Sequence, residues 1–443
     1  MALSQLDRYD PDAVTRRDGQ AIVIGAGLAG LSAARVLVDA YESVVVCERD
    51  PLEESVAVRA GVPQGAQPHL LLRAGHATAA DLFPGITESL LDAGAIELDW
   101  TRDLHYFEAG GLVAGGPNRI PLYAASRPVF EAVVRERIHR HPRISIETGS
   151  TVTDYVTDDA GSRVTGVTVA NGETIDGDLV VDASGRASRT PGWLAETGYA
   201  APTTQSVTVD VTYRSVLVDR PADDRTMIVI PPSPPRTCGG GAFPIEGDRW
   251  LITLQGIHGA SPPQTVEEFP AFARQLPLDR LHDIIESRTV QSAPVGYPFP
   301  GSQWRRFDRL SAIPAGLLVI GDAIASFNPI YGQGMTIGLL EALHLHSHLL
   351  THSEPDPMTF FESVTPTIQN AWRLAVGSDF RFAQTDGDRP PGMGLFNRYL
   401  DRLFTQAQND PELAAWFGQV AMMEQPPERL LHPRVMWRVL RPW

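Results

Sequence analysis

Residues 21–48 of the chain read AIVIGAGLAGLSAARVLVDAYESVVVCE. The apolar runs near its two ends are short, which predicts two buried strands, and residues 31–40 between them have helical character. An order of strand, glycine-rich turn, helix and second strand is typical of a βαβ unit in a parallel sheet. This stretch therefore predicts the α/β class for the fold.

The glycine-rich turn carries the pattern G-x-G-x-x-G at Gly25, Gly27 and Gly30, and Glu48 follows Gly30 by 18 positions. In a dinucleotide-binding unit the first glycine makes the tight turn, the second admits the pyrophosphate, and the third lets helix and strand pack closely. An acid about 20 residues later binds the ribose hydroxyls. Motif, spacing and flanking elements together predict a dinucleotide site, with a purely structural turn as the alternative.

A second glycine-rich stretch runs from Gly321 to Met335, after an apolar run over 317–320 and before a predicted helix over 336–350. It brings Asp322 to the end of a buried strand and two glycines to the start of the helix. Glycines there let the backbone approach a flat or charged ligand, and the helix N-terminus presents free N–H groups to it. We interpret the stretch as the loop that holds the reactive ring of a flavin; a tight strand–turn–helix connection would give the same pattern.

The remaining sequence predicts a second layer and a helical region. A third apolar run ends in an acid at Asp182, and Asn171-Gly172 before it suits a type I′ hairpin turn. From residue 205 to 257 apolar and polar residues alternate in short runs, which predicts an antiparallel sheet. We therefore expect four parts: a discontinuous dinucleotide domain over 20–200 and 286–350, an antiparallel-sheet substrate domain over 201–285, a C-terminal helical region over 351–443, and a polar N-terminal extension over 1–19.

The composition limits the partners of the protein. The chain has 443 residues, a formal net charge of −16 and no lysine, which disfavours nucleic acid and strongly anionic membranes. We find two separate cysteines, no apolar leader and no apolar run of membrane-spanning length, so we expect a cytoplasmic protein. The tail from Arg429 to Trp443 is alternately basic and apolar. We expect it to pack on its own domain, with association of this C-terminal helix with a membrane surface as the alternative.

Three histidines, His344, His346 and His348, fall in the predicted helix over 336–350. His344 and His348 share a helix face and could bind zinc, but only Glu341 stands at ligand spacing. We expect a surface or lightly buried histidine pair and no metal. The sequence has neither a G-x-S-x-G elbow nor a P-loop, which argues against a serine hydrolase and a P-loop NTPase.

Residues 25–48, 178–185 and 321–335, taken in this order, resemble the FAD-dependent aromatic-hydroxylase class of flavoprotein monooxygenases, which share the fold of para-hydroxybenzoate hydroxylase. The run Arg59-Ala60-Gly61-Val62-Pro63-Gln64-Gly65 and the third of these stretches are most similar to the actinobacterial branch that includes squalene-epoxidase-like polyether epoxidases. The resemblance implies FAD as the cofactor. It also implies a Rossmann-like FAD-binding domain of the glutathione-reductase type with an inserted antiparallel β-sheet substrate domain.

The resemblance assigns roles to single residues. Arg127 matches a helix arginine directed at the flavin chain, Val152 matches a backbone contact to adenine, and Asp322 matches the acid that binds the ribityl hydroxyls. Arg59 could reach a phosphate or be a solvated surface residue. The full set expected to bind FAD is Gly25, Gly27, Leu28, Ala29, Gly30, Glu48, Arg49, Arg59, Arg127, Val152, Asp182, Gly321, Asp322, Pro329, Gly332, Gln333, Gly334 and Met335.

The reaction that the resemblance implies is the transfer of one oxygen atom from O₂, through a flavin hydroperoxide, to an alkene or aromatic ring. The substrate would be a small lipophilic natural product, such as a polyketide or a terpenoid. Because the cofactor carries this chemistry, we expect no catalytic acid or base from the protein. Aromatic side chains that could line the substrate cavity, each equally suited to a core, are Tyr213, Phe243, Tyr297, Phe299 and Phe327.

The electron source and the reaction class have alternatives. Family members that accept hydride directly often carry Asp-Gly where this chain has Asp182-Ala183-Ser184-Gly185, and no second G-x-G-x-x-G occurs. NADPH or NADH would therefore act either directly or through a partner flavin reductase. The alternatives to a monooxygenase are a prenyl-chain reductase of the geranylgeranyl-reductase type, a non-catalytic flavin-binding protein, and a halogenase, which the absence of lysine disfavours.

Overall fold

The computed structural model of the protein describes residues 1–52 and 56–441. The predicted ranges over 20–200 and 351–443 include a few residues outside this part, among them the Trp443 end of the tail. The described strands are β1 (Gln20–Ile24), β2 (Ser43–Glu48), β3 (Ile96–Asp99), β4 (Leu104–Glu108), β5 (Gly111–Leu112), β6 (Pro121–Ala124), β7 (Ile144–Thr148), β8 (Val152–Thr157), β9 (Val164–Val169), β10 (Thr174–Asp176), β11 (Leu179–Asp182), β12 (Thr204–Asp219), β13 (Met227–Ile230), β14 (Cys238–Ile245), β15 (Arg249–Gly256), β16 (Val295–Arg305), β17 (Leu317–Val319), β18 (Ala325–Ser326) and β19 (Asp386–Gly387). The described helices are α1 (Leu28–Ala40), α2 (Arg73–Leu82), α3 (Ile86–Asp92), α4 (Arg127–His139), α5 (Thr190–Glu196), α6 (Phe269–Ala273), α7 (Asp279–Ser287), α8 (Gly334–Thr351), α9 (Pro357–Asp379), α10 (Met393–Ala407), α11 (Pro411–Ala421) and α12 (Pro433–Leu440).

A five-stranded parallel sheet forms the centre of the fold, in the order β17-β11-β1-β2-β7. Strands β1, β11 and β17 are apolar and buried along almost their whole length, as strands covered on both faces must be. Because the strands are parallel, the residues that follow β1, β2, β11 and β17 meet at one edge of the sheet. The predicted α/β class is confirmed.

Helix α1 lies closely against the turn that follows β1. A Cβ atom on Gly30 would stand 2.0 Å from the carbonyl oxygen of Gly25, and Gly25 itself has a φ of +102°. Only glycine tolerates both the close approach and the left-handed backbone at little cost. The motif thus fixes the direction in which α1 leaves the sheet.

A nine-stranded sheet forms the second layer, in the order β18-β16-β12-β15-β14-β13-β4-β5 with β19 beside β12. Its strands pair antiparallel except β4 and β13, which run parallel. The predicted range of 201–285 is too narrow for this sheet, because β4, β5, β16, β18 and β19 come from outside it. The sequence pattern did not predict β16, because Pro298 and Pro300 argue against a strand. In the structure these prolines lie in a part of β16 that pairs with β12 on one side and with no described strand on the other.

One face of the nine-stranded sheet packs on helices α6 and α7. Trp250, Ile252 and Leu254 of β15 belong to the core cluster on this side, together with Phe269 of α6 and Leu281 of α7. The alternate residues of β15 therefore point to the opposite face, towards the parallel sheet.

The hairpin of β9 and β10 forms where it was predicted, but its turn is of another type. A type I′ turn needs positive φ at both central residues. Here Gly172 has a φ of +87°, whereas Asn171 does not have a positive φ. The predicted type I′ turn was wrong, because the loop is one residue longer and a single glycine supplies the left-handed position.

The two ends of the chain pack together. The backbone N–H groups of Leu3 and Ser4 donate to the carbonyl groups of Met423 and Glu424 at 3.1 Å each, and the Leu3 side chain is buried. The first 19 residues are thus more than a polar extension, because this pairing anchors them to the C-terminal helical region. No described helix has both the length and the apolar character that a membrane crossing requires.

The described part of the tail, up to residue 441, also lies against its own chain. Val435 and Val439 of α12 are buried in a cluster with Leu403 of α10 and Leu413 of α11, while Trp437 stays exposed. The helix buries one face and leaves another free. Association of this helix with a membrane stays a prediction.

We predict that Gly30→Ala lowers the stability of the protein by about 2 kcal/mol, since the new methyl group must displace the Gly25 carbonyl. Urea unfolding followed by circular dichroism measures the effect. The matched control is Gly394→Ala in α10, where a Cβ meets no atom within 4 Å and a small gain is expected. Equal unfolding midpoints for the two variants would contradict the close packing of α1.

Candidate functional site

A cavity of about 500 Å³ lies between the carboxyl edge of the parallel sheet and the free face of the nine-stranded sheet. Of the residues predicted to bind FAD, all but Gly30 line it: Gly25, Gly27, Leu28, Ala29, Glu48, Arg49, Arg59, Arg127, Val152, Asp182, Gly321, Asp322, Pro329, Gly332, Gln333, Gly334 and Met335. The five predicted aromatic residues also line it, namely Tyr213, Phe243, Tyr297, Phe299 and Phe327. The structure thus brings the two predicted sets together in one space, while the role of each residue stays a prediction.

The first turn of α1 faces this cavity with its backbone N–H groups. Gly27 is the residue before the helix. In the described part of the chain, no side chain caps the helix there, and no heavy atom lies within 4 Å of the position a Cβ would take. Uncapped N–H groups at the positive end of a helix form a site for an anion such as phosphate. The position of Gly27 thus has the space and the polarity that a pyrophosphate needs.

Glu48, at the end of β2, holds the glycine turn in place. One carboxylate oxygen accepts from the Ala26 N–H at 2.7 Å, and the other accepts from the Asp50 N–H at 2.9 Å. The carboxylate is buried and also lies 3.2 Å from the Arg59 guanidinium. The predicted contact of Glu48 with ribose hydroxyls would add to these bonds.

The Arg59 side chain is only 10% exposed and lies among carboxylates, so the expected alternative of a solvated surface arginine was wrong. Its guanidinium lies 2.9 Å from Glu131, 3.2 Å from Glu48 and 3.5 Å from Asp50. Burial alone would lower the pKa of Arg59, but Glu131 and Glu48 outweigh it and raise that pKa. A contact of this arginine with a phosphate stays a prediction, and such a phosphate would share the guanidinium with these acids.

A chain of polar contacts continues from Glu131 towards the nine-stranded sheet. Arg127 donates to Glu131 at 2.8 Å and to Nε2 of His69 at 3.1 Å, and Nδ1 of His69 contacts the Gln67 carbonyl at 2.8 Å. The Gln67 side chain accepts from the Ser215 hydroxyl of β12 at 2.6 Å. The chain therefore joins the helix that carries Arg127 to the second layer.

His69 was missed by the sequence analysis. Burial, followed by the neighbouring Arg127, lowers the pKa of His69 to about 3, so the imidazole is neutral and can accept a hydrogen bond from the Arg127 guanidinium. Its place in a Gly/Pro-rich loop after the dinucleotide motif was the only sequence signal.

Both carboxylate oxygens of Asp182 accept hydrogen bonds from residues of the turn that follows β11. One oxygen accepts from the Ser184 N–H at 2.9 Å, and the other accepts from the hydroxyls of Ser188 and Thr190 at 2.6 and 2.5 Å. These bonds shape the β11–α5 connection, which reaches the cavity with Ser184, Gly185 and Arg186. A direct contact of Asp182 with a cofactor stays a prediction.

Asp322 stands at the end of β17 with no hydrogen-bond partner among the residues that the structure describes. Burial raises the pKa of this carboxyl, although Arg127, Arg186 and Arg305 act in the opposite direction. A carboxylate that lines a cavity without a protein donor is suited to accept hydroxyl groups of a ligand. Asp322 thus has the free acceptor oxygens that the predicted ribityl contact requires.

The loop after Asp322 is fixed by a residue that the sequence analysis did not single out, Asp379 at the end of α9. Its Oδ1 accepts from the Asn328 amide at 2.8 Å and from the Tyr331 hydroxyl at 2.9 Å. Asn328 Oδ1 in turn accepts from Tyr213 at 3.4 Å. Burial raises the pKa of Asp379 to about 7, partly offset by the two donors. The C-terminal helical region thus positions the loop, a contact between distant segments that no local pattern reveals.

Arg186 brings a positive charge into the cavity near Asp322. Its guanidinium donates to the Ser326 hydroxyl and lies 5.0 Å from the centre of the Phe299 ring. No described carboxylate forms an ion pair with it, and burial lowers the pKa of this arginine. The sequence analysis did not assign it a role.

The three histidines of α8 are core residues, so the expected surface or lightly buried pair was wrong. His344 contacts the Thr367 hydroxyl at 2.8 Å, and Nε2 of His346 and of His348 accept from the backbone N–H groups of Asp10 and Asp356. All three are almost completely buried. No group of side chains able to hold a metal ion occurs among the described residues.

The residues present fit FAD. The space at Gly27, the uncapped start of α1 and the unpartnered Asp322 are the features that its pyrophosphate and its ribityl hydroxyls need. Comparison with known proteins decides the question, since a family model described as FAD binding domain matches residues 18–354. The chain belongs to this family. The predicted FAD-binding fold and the FAD cofactor are thereby confirmed.

Other similar proteins cover nearly the whole chain. Protein Rv3254 of Mycobacterium tuberculosis (strain ATCC 25618 / H37Rv) is 34% identical over 426 residues, which are 90% of this chain and 88% of that protein. The structure of the flavin-dependent brominase Bmp2 has a TM-score of 0.64 at 15% identity and covers 92% of this chain and 94% of its own. PqsL, a probable FAD-dependent monooxygenase from Pseudomonas aeruginosa, has a TM-score of 0.59 at 17% identity and covers 90% and 99%. At these identities the two structures show a shared fold.

We predict that Gly27→Ala weakens FAD binding about tenfold or more and leaves the thermal stability of the apoprotein unchanged, because the methyl group meets only the space for the pyrophosphate. Titration of the apoprotein with FAD, followed by flavin fluorescence, measures the affinity. Gly192→Ala, in α5 and outside the cavity lining, is the control with equal space for a methyl group. Wild-type affinity in the first variant would place the pyrophosphate elsewhere.

We predict a pH-dependent stability difference between the wild type and Asp379→Asn. Because the folded-state pKa of about 7 lies above the usual value of 3.8, the contribution of this carboxyl is present below about pH 4 and is lost as the pH rises through 7. The variant keeps the acceptor oxygen and lacks the titration. The wild-type stability minus that of the variant, measured by urea unfolding, should fall between pH 4 and pH 7 by up to about 1.4 kcal/mol per pH unit.

Asp388→Asn, at an exposed position, is the control for the loss of one carboxylate. A stability difference for Asp379→Asn that stays constant over this pH range would show that the Asp379 carboxyl is ionised in the folded protein.

Proposed function

We propose that this flavoprotein is an FAD-dependent monooxygenase that adds one oxygen atom from O₂ to a small, uncharged lipophilic molecule by hydroxylation or epoxidation. The observation that carries the proposal is the continuity of the cavity. One space of about 500 Å³ extends from the glycine motif, past Asp322, to an aromatic face of the nine-stranded sheet. A molecule on that face would lie beside the loop proposed to hold the flavin ring.

The protein residues bind, orient and exclude water in this proposal. Gly27 and the start of α1 would hold the pyrophosphate, Asp322 the ribityl chain, and the loop from Pro329 to Met335 the ring edge. Bound FAD, once reduced, supplies the activation of O₂. The start of α8 at Gly334 has no side-chain cap, so its N–H groups can stabilise negative charge on a ligand beside it.

The aromatic residues form an apolar wall of the cavity. Tyr213 and Phe299 are almost fully buried in a cluster with Phe382 of the C-terminal region, and Phe327 lies 6.4 Å from the Trp372 ring in an edge-on arrangement. Packed aromatic side chains exclude water and leave an apolar surface for a lipophilic substrate. This environment is suited to an oxygen transfer whose chemistry the cofactor carries.

The proposal also covers the source of the electrons and the class of substrate. Direct hydride acceptors of the resembled class often carry Asp-Gly where this chain spreads Asp182 and Gly185 over four positions. NADPH or NADH would therefore act either directly or through a partner flavin reductase. The likeness of residues 59–65 and 321–335 to squalene-epoxidase-like polyether epoxidases favours epoxidation of a polyketide or terpenoid. PqsL, described as a probable FAD-dependent monooxygenase, shares the fold.

We predict that the FAD-loaded protein, given NADPH and a separate flavin reductase, incorporates one atom of ¹⁸O₂ into a phenol or polyene probe. Mass spectrometry of 2-naphthol and squalene reactions measures the label. Gly27→Ala is the flavin-poor control, and Gly192→Ala is the control that keeps FAD. Repeating the assay without the reductase separates direct from indirect electron supply.

Three outcomes would replace the proposal by an alternative. Oxygen-independent saturation of a prenyl chain would make the protein a reductase, and bromination of the phenol in the presence of bromide would make it a halogenase. Tight FAD binding without oxidation of reduced flavin would make it a non-catalytic flavin-binding protein.

A further inference from the structure

Two neutral side chains on the cavity face of β15 have no hydrogen-bond partner among the described residues. Thr253 and Gln255 both line the cavity, and their exposed fractions are 5% and 6%. The Thr253 hydroxyl is buried without a hydrogen bond, and the Gln255 amide forms none with any residue that the structure describes. A buried polar group without a hydrogen bond destabilises a protein, so such groups in a binding cavity point to a ligand.

The direction of these side chains follows from the strand. Ile252 and Leu254, their neighbours on β15, pack on the opposite face against the cluster of α6 and α7. Successive residues of a strand alternate between faces, so Thr253 and Gln255 point into the cavity side by side.

Their described neighbours on adjacent strands offer no hydrogen-bond partner. Thr253 stands opposite Gly241 of β14 and Ser215 of β12, and Gln255 stands opposite Gly239 and Tyr213. The glycines carry no side chain, and the Ser215 hydroxyl is already bonded to Gln67 at 2.6 Å. Since no described residue bonds to the pair, a molecule in the cavity could supply its hydrogen bonds.

The pair also lies close to the loop proposed to hold the flavin ring. Directly opposite residues on antiparallel strands have Cβ atoms about 5 Å apart, so Gln255 is next to Tyr213. The Tyr213 hydroxyl reaches Asn328 of that loop at 3.4 Å. A small molecule can therefore contact the Gln255 amide and the loop at the same time.

The charge pattern of the cavity selects the ligand group. All charged lining residues come from outside β12–β15: Glu48, Arg49, Arg59, Arg127, Asp154, Asp182, Arg186, Arg189 and Asp322. An ionised group beside β15 would lose its hydration without a counter-charge there. An uncharged hydroxyl, carbonyl or amide group would gain hydrogen bonds instead.

We propose that Thr253 and Gln255 form a neutral hydrogen-bonding subsite that selects substrates carrying an uncharged polar group. This inference rests on the proposed function only in that it calls the ligand a substrate. The binding preference itself does not require turnover. The substrate class is then a lipophilic alcohol, phenol, ketone or amide, in preference to a hydrocarbon or a carboxylic acid.

The test compares three probes with one skeleton, namely 2-naphthol, naphthalene and 2-naphthoate, in equilibrium dialysis against the FAD-loaded full chain. We expect 2-naphthol to bind about tenfold more tightly than the other two probes. The double variant T253V/Q255M should lose this preference and keep the affinity for naphthalene. Ser215→Ala is the matched control on the next strand, because its hydroxyl already has a protein partner.

A structural role for the pair is tested by thermal unfolding without probe. Thr253→Val and Gln255→Met remove no hydrogen bond within the protein, so their melting temperatures should equal or exceed that of the wild type, whereas Ser215→Ala should melt lower. A drop of several degrees for either of the first two variants would overturn the inference.

The binding assay has contrary outcomes of its own. Tighter binding of 2-naphthoate would assign the polar end to Arg186 and overturn the inference. Equal affinities for the three probes, or no binding of 2-naphthol, would do the same. Each outcome leaves the monooxygenase proposal to be decided by the ¹⁸O₂ assay, so the two ideas fail separately.

Discussion

The close contact between Gly30 and the carbonyl of Gly25 is the constraint on which the site depends. It presses α1 against β1, so that the uncapped start of the helix faces the cavity at Gly27. Glu48 then binds the Ala26 N–H and keeps the turn from opening. If a methyl group at Gly30 pushed the helix away from the turn, the N–H groups of α1 would no longer point at the position expected for the pyrophosphate.

Two sets of polar contacts connect the glycine turn and the loop after Asp322 to the rest of the molecule. One runs from Glu48 through Arg59 to Arg127 and on to the nine-stranded sheet. The other joins the loop after Asp322 to the end of α9 through Asp379. Buried networks of this kind fix relative positions because any displaced member leaves an unpaired polar group in a low dielectric. The cavity is thus bounded by three parts of the chain whose positions are coupled.

The sequence predicted what depends on local pattern. The glycine motifs, their strands and the acids that follow them have fixed spacing, and Gly25, Glu48 and Asp322 lie where they were expected. The roles of Asp379 and Gln255 could not be predicted from the sequence. Asp379 acts through contacts between distant segments, and the role proposed for Gln255 depends on which face of β15 points to the cavity, which alternation alone does not show. The strand β16 was hidden for another reason, since its prolines are acceptable only on an edge that the sequence does not show.

The central claim is that FAD occupies the cavity in one direction, with its nucleotide at the glycine motif and its ring at the loop from Pro329 to Met335. A crystal structure of the full chain with FAD tests it most directly. We predict the pyrophosphate against the backbone of Gly27, the ribityl hydroxyls within hydrogen-bond distance of Asp322, and the ring within the space below β15. A flavin ring bound outside the cavity, or the reverse direction, would contradict the account.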